Sequence, residues 1–142
     1  MNAGYVYDRQ EELLAWAEAR ILGWRPREDA VAIGREVDGR LVGVTVFDTH
    51  SPTTCFFHLA AGERRWLTKE FIIVALSYPF LQCGYPRLSA MISENNRLSL
   101  RLARIGGWVE EGRMRRGGIE GEDIVMLGML REECRWLPRL SW

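Results

Sequence analysis

Residues 96–108 read Asn-Arg-Leu-Ser-Leu-Arg-Leu-Ala-Arg-Ile-Gly-Gly-Trp, and this stretch organises the second half of the chain. Asn96 is a favourable N-cap residue, and Gly106-Gly107 is a favourable C-terminal stop. The pattern therefore predicts a helix over Asn96–Ile105. Apolar residues recur at helical spacing on one side of it and arginines on the other, as Leu98, Leu102 and Ile105 against Arg97, Arg101 and Arg104.

Extended segments flank this helix on both sides. Arg87–Ser93 precedes it and has the composition of a strand. Trp108–Arg113 and Asp123–Leu130 follow it, and the loop Arg115–Glu122 joins those two runs. The second half of the chain therefore predicts a strand, a helix and two further strands.

The first half of the chain contains two more helices and four more strands. Asp8–Leu22 carries apolar residues at helical spacing, with Asp8 as the expected N-cap and Gly23 as the stop. The Asp38-Gly39 pair between two β-rich runs indicates a hairpin. The strands predicted here are Gly4–Tyr7, Ala30–Val37, Leu41–Phe47 and Thr54–Ala61, and the second helix is Thr68–Tyr78, which Pro79 should end or kink.

These elements predict one domain over residues 1–142, because neither an internal repeat nor a low-complexity linker divides the chain. Their order is β-α-β-β-β-α-β-α-β-β. Antiparallel runs interleaved with crossover helices predict an α/β (α+β) fold, with a mixed sheet of six or seven strands and helices on both faces.

The charge balance argues against two classes of partner. With 19 basic and 19 acidic residues, the formal net charge is zero. The summed field therefore gives no support for a general binder of nucleic acid or of an anionic membrane. All of the basic residues except Lys69 are arginines, a bias that phosphate or carboxylate recognition and high-GC codon usage explain equally well.

The cysteines indicate neither a metal site nor a disulfide framework. Cys55, Cys83 and Cys134 are odd in number and form no Cys-x-x-Cys pair, and neither His50 nor His58 stands at zinc-like spacing from them. Reduced core thiols are the simplest interpretation. No apolar run approaches the ~20 residues of a membrane span, and no signal peptide is visible, so we expect a cytoplasmic protein.

In order and spacing, these segments resemble the GNAT superfamily of acyl-CoA-dependent N-acetyltransferases, and most closely the subfamily that acetylates N-terminal amines of ribosomal proteins. Residues 96–108 are similar to that subfamily's Asn-x-x-Ser-x-x-Leu run that ends in Gly and an aromatic residue. Residues 110–115 resemble its Glu-Gly-x-x-Arg strand, and Ile124–Leu130 resembles its closing strand. Tyr78-Pro79-Phe80 is similar to its passage between helix and strand. The likeness covers Ala30–Glu133.

The resemblance implies acetyl-CoA as a co-substrate and no metal. The fourth and fifth strands, Thr54–Ala61 and Arg87–Ser93, should diverge and leave a V-shaped cleft. Backbone groups of the fourth strand would pair with the pantetheine amides. The residues expected to bind the co-substrate are Phe57, Leu59, Arg64, Arg65, Trp66, Leu67, Thr68 and Asn96, and a plain N-cap is the alternative role of Asn96.

One loop departs from the family pattern. GNAT proteins usually carry an (Arg/Gln)-x-x-Gly-x-(Gly/Ala) loop, whose bare N–H groups hold the coenzyme A pyrophosphate at a helix N-terminus. Glu63, Trp66 and Thr68 occupy those three positions here. A tryptophan does not adopt a glycine conformation cheaply. We expect Arg64 and Arg65 to compensate in part as charged phosphate donors.

The implied reaction is direct attack of a neutral amine, on a small molecule or a protein N-terminus, on a thioester. It needs a base for the ammonium and a proton donor for the thiolate. Ser99 is the candidate donor, although helix capping explains this serine equally well. The candidate bases are Glu94 after the fifth strand, His58 on the fourth and Asp48 at the end of the third, with Glu94 ranked slightly ahead of His58.

A non-enzymatic hypothesis stays open beside this one. A GNAT-like domain that has lost its glycine loop also fits a structural or partner-binding module, such as a virion-associated one. The six tryptophans and the tail Arg131–Trp142 would then supply the interface, and a homodimer is the assembly we expect. Binding of coenzyme A separates the two hypotheses.

Overall fold

The elements follow one another in the predicted order, and the computed structural model describes residues 2–62 and 66–138. The helices are α1 (Gln10–Glu18), α2 (Lys69–Ser77) and α3 (Arg97–Gly106), with a π turn over Tyr78–Gln82 and a 3₁₀ turn over Arg131–Glu133. The strands are β1 (Ala3–Val6), β2 (Val31–Val37), β3 (Arg40–Asp48), β4 (Phe56–Ala61), β5 (Arg87–Ser93), β6 (Val109–Met114) and β7 (Ile124–Leu130).

One mixed sheet contains all of these strands, in the order β1-β2-β3-β4-β5-β7-β6. Neighbouring strands are antiparallel except β4 and β5, which run parallel. α1 packs on one face of the sheet, and α2 and α3 pack on the other. We call these the α1 face and the α2 face. The predicted α+β fold, with helices on both faces of a mixed sheet, is confirmed.

β4 and β5 separate almost as soon as they meet. Phe56 and Ser89 are the one pair of Cα partners that the two strands share, and the Ser89 N–H donates to the Cys55 carbonyl at 3.0 Å. On its other side, β4 pairs with β3 along its whole length. The edge of β4 that faces β5 is therefore open from Phe57 to Ala61, and the predicted V-shaped cleft is confirmed.

α1 is shorter than predicted. It covers Gln10–Glu18 instead of Asp8–Leu22, and its N-cap residue is Arg9, which makes no side-chain cap. Two successive N–H groups just after the helix donate to the carbonyl of Ala17, so the chain tightens into a turn and the helix stops. The spacing of apolar residues in the sequence does not indicate where this turn begins.

α2 begins and ends for local reasons. The Thr68 hydroxyl oxygen accepts a hydrogen bond from the Phe71 N–H at 3.1 Å and caps the first turn. The helix ends at Ser77, as Pro79 predicts, because proline has no N–H to continue the ladder. The chain then widens into the π turn, which closes with a bond from the Cys83 N–H to the Tyr78 carbonyl at 2.9 Å.

The boundaries of α3 and of the β2–β3 hairpin follow the predicted residues. The Asn96 side chain accepts from the Ser99 N–H at 3.2 Å, so it caps α3. Gly107 ends the helix with a φ of +100°. In the hairpin, Asp38 and Gly39 have φ values of +52° and +79°, which the tight turn requires.

α3 is apolar on two opposite sides. Leu100 is buried against the sheet, with Ala103 beside it. The stripe formed by Leu98, Leu102 and Ile105 faces outward. The exposed fractions of these three residues are 67%, 47% and 58%, respectively. The pattern that makes the helix recognisable in the sequence therefore does not point into the core.

The C-terminal segment packs on its own chain as far as the structure describes it. Cys134 and Leu137 are buried in the core under α2, and the Trp136 indole N–H donates to the Gly106 carbonyl at 3.0 Å. The part of the predicted interface segment up to Pro138 thus covers the end of α3, and residues 139–142 lie outside the described residues.

The three cysteines are free, and Cys55 and Cys134 are buried. Burial raises the pKa of the Cys55 thiol to about 12, so this group stays protonated at neutral pH. Cys55 thus behaves as a small core residue, as expected. Among the described residues, every helix is too short or too polar to cross a membrane.

A methyl group at position 43 should disturb the packing of the loop before α2. Gly43 of β3 lies under the indole of Trp66, and a Cβ there would stand 2.3 Å from Trp66 Cε3. Because a ring cannot yield like the end of a flexible chain, we expect Gly43→Ala to lower the free energy of unfolding by about 1–3 kcal/mol. Urea denaturation measures this loss.

Gly112→Ala is the matched control. A Cβ at this β6 residue would meet nothing within 4 Å, so we expect its stability to stay within about 0.5 kcal/mol of the wild type. If Gly43→Ala and Gly112→Ala had equal midpoints of urea denaturation, this result would contradict the contact between Trp66 and β3.

Candidate functional site

The two faces of the cleft carry different chemistry. Paired residues of parallel strands point to the same face, and alternate residues follow them. Two residues beyond the Phe56–Ser89 pair, His58 and Met91 therefore flank the cleft on the α1 face. Phe57 and Ala90 flank it on the α2 face. A titratable group stands on one side of the opening and apolar groups on the other.

His58 belongs to a network with two other side chains. Its Nε2 lies 2.9 Å from Oδ1 of Asp48 at the end of β3. The Trp24 indole N–H donates to Oδ2 of the same carboxylate at 2.9 Å, and the Trp24 and His58 rings are 5.7 Å apart. The Asp48 carboxylate thereby holds the His58 imidazole in place, and Nδ1 is the ring nitrogen that does not bind this carboxylate.

Asp48 stays ionised although it is buried, with an exposed fraction of 1%. Burial acts to raise the pKa of its carboxyl, but the hydrogen bonds from His58 and Trp24 outweigh it. The net effect is a pKa below the ordinary value. A charged carboxylate beside an imidazole stabilises the protonated ring, which is what a general base becomes after it accepts a proton.

Glu94 lies at the end of β5, and its contacts are on the other side of that strand. One carboxylate oxygen accepts from the Asp123 N–H at 2.5 Å, and the other lies 3.7 Å from the Arg113 guanidinium. Both partners belong to the β6–β7 part of the sheet, whereas β4 is on the opposite side of β5. Glu94 therefore joins β5 to β7, and these contacts do not bring it to His58.

Asn96 and Ser99 stand in the first turn of α3, which starts at the open end of β5. Asn96 caps the helix through its side-chain oxygen, as described above. The backbone N–H of Ser99 donates this capping hydrogen bond, and the residue is half-buried. Both residues follow the C-terminal end of β5 in the chain, and the side-chain oxygen of Asn96 is occupied by the cap.

The residues expected at the phosphate loop are only partly described. Glu63, Arg64 and Arg65 lie outside the described residues. Trp66 packs edge-on against Phe71 at 5.9 Å, on the α2 face, and Leu67 next to it is half-buried. Thr68 caps α2, and its hydroxyl oxygen accepts from the Phe71 N–H of the first turn.

Gly62, the nearest glycine, has a packing role. A Cβ there would lie 2.7 Å from the Trp16 ring of α1, so a glycine is needed for α1 to approach the sheet. On β4, Phe57 is half-buried, and Leu59 is 40% exposed on the α2 face. Leu59 thus borders the open part of the cleft, where the sequence places the pantetheine arm.

An open cavity of about 630 Å³ lies on the α1 side, next to the network of Asp48 and His58. The end of α1 and the following loop line it, including Glu18 and Trp24, and Ile119 from the β6–β7 loop also lines it. Trp24 is therefore shared between the cavity and the network. Among the described residues, no group of three or more metal-ligating side chains comes together.

Trp24 is the residue that sequence reasoning missed. It stands in the Trp-Arg-Pro loop after α1, where nothing local distinguishes it from the other tryptophans. Only the fold brings it to Asp48, 24 residues away. A signal that could have indicated it is a large aromatic residue next to Arg25-Pro26-Arg27 in this loop.

Several solved structures with a similar fold are acetyltransferases. A chimera of the spermidine N-acetyltransferase SpeG from Vibrio cholerae superposes with a TM-score of 0.75 at 16% identity, over 94% of this chain and 98% of that chain. A GNAT-family acetyltransferase from Streptococcus pneumoniae superposes with a TM-score of 0.70 at 15% identity, over 91% and 99%. No protein-family model and no curated protein sequence matches this chain. At these identities the likeness establishes the GNAT acetyltransferase fold alone.

Proposed function

We propose that this protein is an acyl-CoA-dependent N-acetyltransferase that transfers acetyl from acetyl-CoA to a primary amine by direct attack in a ternary complex. The observation that carries the proposal is the opening between β4 and β5 with His58 and Asp48 on one of its faces. An unpaired strand edge can bind the amides of an extended ligand. His58, the proposed base, lies on the α1 face of the cleft, and the apolar residues that would contact the ligand lie on the α2 face.

The thioester enters from the α2 face. The backbone of Phe57 and Leu59 offers hydrogen-bonding groups to the pantetheine arm, and the pyrophosphate lies at the first turn of α2, beside Trp66, Leu67 and Thr68. Arg64 and Arg65 precede this turn in the sequence and supply positive charge for the phosphates.

His58 is the general base in this mechanism. It takes a proton from the ammonium of the acceptor, and the neutral nitrogen then attacks the thioester carbonyl carbon. The C–N bond forms, and the nitrogen of the tetrahedral intermediate gives up its second proton to solvent. The oxyanion then collapses and the C–S bond breaks. The Ser99 hydroxyl gives its proton to the departing thiolate and recovers one from solvent.

Two contacts favour His58 over Glu94. Asp48 stabilises the imidazolium that His58 becomes, and the carboxylate is already ionised. Glu94 is engaged by the Asp123 N–H and by Arg113 on the far side of β5. A base must reach the proton that it removes, and the geometry of His58 meets that requirement better.

The acceptor enters through the α1-face cavity. Its wall carries one carboxylate, that of Glu18, which can pair with a cationic amine, beside the guanidinium groups of Arg20 and Arg25. Trp24 and Ile119 supply apolar contacts. A polyamine, such as the spermidine in the names of the Vibrio cholerae relatives, and the free N-terminus of a protein both present that chemistry. The resemblance of residues 96–108 to the ribosomal-protein subfamily favours the N-terminus.

Calorimetry with acetyl-CoA, followed by a thiol-release assay with spermidine and N-terminal peptides, tests the proposal. We expect stoichiometric binding and amine-dependent release of free CoA. Binding without release for any amine would contradict the enzymatic function. No binding of acetyl-CoA or CoA would instead favour a non-catalytic module built on the same fold.

A further inference from the structure

An aromatic stack closes the base of the cleft on the α2 face. The rings of Phe57 and Trp108 lie 5.9 Å apart with an interplanar angle of 16°. Phe57 is the first residue of β4 beyond its pairing with β5. The stack therefore stands at the point where the two strands begin to separate.

Trp108 connects two separate parts of the core. It packs against the cluster under α2, which contains Phe71 and Leu88, and against the cluster under α3, which contains Leu100 and Val125. Since β4 lies nearer the first cluster and β7 carries the second, a ring that contacts both bridges the gap that the diverging strands leave.

The backbone around Trp108 is held on several sides. Gly107 has the left-handed φ of +100° that ends α3, and the Trp108 N–H donates to the Ala103 carbonyl at 3.0 Å. The Trp136 indole N–H binds the neighbouring Gly106 carbonyl at 3.0 Å. A wall built on such a backbone keeps its position when a ligand presses on it.

We propose that the Phe57–Trp108 stack is the wall against which the acyl group of the thioester ends, and that it restricts the donor to short acyl chains. Leu59, the next residue of β4 on the same face, is 40% exposed, so the open part of the cleft begins directly beyond the wall. The proposal rests on the proposed function, because it names the donor specificity of that same site.

A rigid apolar wall discriminates between acyl groups of different length, because it leaves no volume for the longer ones. In hydrophobic pockets one methylene group changes discrimination by roughly 10–200-fold. Acetyl-CoA should therefore bind more tightly than propionyl-CoA, and propionyl-CoA more tightly than butyryl-CoA. Coenzyme A without an acyl group does not reach the wall, and its affinity reports on the rest of the site.

Calorimetry with CoA, acetyl-CoA, propionyl-CoA and butyryl-CoA tests this, because binding needs no acceptor. The proteins are the wild type, Trp108→Ala, Trp108→Phe and the control Trp16→Phe, whose ring lies on α1 at the other face of the sheet. We expect Trp108→Ala to raise the butyryl-CoA to acetyl-CoA affinity ratio by about 10–100-fold, and Trp108→Phe to raise it less. Trp16→Phe should leave the ratio unchanged.

The outcomes separate this inference from the function on which it rests. If the wild type binds neither CoA nor acetyl-CoA, the proposed function fails, and the inference fails with it. If the wild type binds both and folded Trp108→Phe keeps the wild-type ratio, the wall is elsewhere and the inference alone is overturned. Trp108→Phe decides the question if Trp108→Ala does not fold.

Discussion

Replacing His58 by glutamine should lower kcat/KM by about 10²–10⁴, with the Kd of acetyl-CoA unchanged. Glutamine retains a polar group that can still reach Asp48, so the packing around Trp24 is preserved. It cannot take a proton from the acceptor. Steady-state kinetics with an amine found in the thiol-release assay, together with calorimetry, measures both quantities.

Glu94→Gln is the variant that discriminates between the two candidate bases. If His58 is the base, we expect kcat/KM of Glu94→Gln to fall by less than about tenfold, because Glu94 acts on the pairing of β5 with β7. A loss of 10² or more in Glu94→Gln, with near wild-type activity in His58→Gln, would reverse the assignment. Melting curves of both variants exclude unfolding as the cause.

Elements with a local signal were predictable from the sequence. The hairpin at Asp38-Gly39 and the end of α3 at Gly107 each depend on φ values that few residues adopt. The residue types at these positions therefore predict the hairpin turn and the helix end. α1 was predicted too long because the bonds to the Ala17 carbonyl that end it depend on how the following loop turns back over the sheet.

The divergence of β4 and β5 followed from a resemblance, since nothing in Thr54–Ala61 itself indicates that one edge of the strand stays open. In the structure, the Phe57 ring stacks on Trp108 at the point where the two strands begin to separate. A tryptophan after Gly-Gly signals a helix end in the sequence, but not the strand on which it packs.

The sequence indicates candidate residues for the site, but it does not indicate how they are arranged. Sequence reasoning included His58, Asp48 and Glu94 and ranked Glu94 slightly ahead. The hydrogen bond from the Asp123 N–H to Glu94 and the one from Trp24 to Asp48 both join segments more than 20 residues apart. These long-range bonds engage Glu94 and Asp48 in the fold, and local patterns in the sequence do not indicate them.

Asp48→Ala should lower the free energy of unfolding by about 3–5 kcal/mol at neutral pH, because it leaves the Trp24 indole N–H and His58 without their buried partner. Asp48→Asn keeps one acceptor, and we expect a smaller loss of about 1–3 kcal/mol. Asp8→Ala is the matched control, since Asp8 is exposed and does not cap α1. Its stability should stay within about 0.5 kcal/mol of the wild type.

The pH dependence of the same variants identifies the charge of Asp48 as the stabilising feature. Its pKa is lowered in the folded protein from the ordinary 3.8, so the unfolded chain binds the proton more readily. The stabilisation is present in full above that ordinary value and is lost as the pH falls through the lower, folded value. We therefore expect the stability gap between the wild type and Asp48→Asn to narrow as the pH falls below about 4. Urea denaturation across this range measures the gap. A gap that persists unchanged to about pH 2 would mean that folding does not lower the pKa of Asp48, and it would contradict the inference that the hydrogen bonds from His58 and Trp24 favour the charged carboxylate over the protonated one.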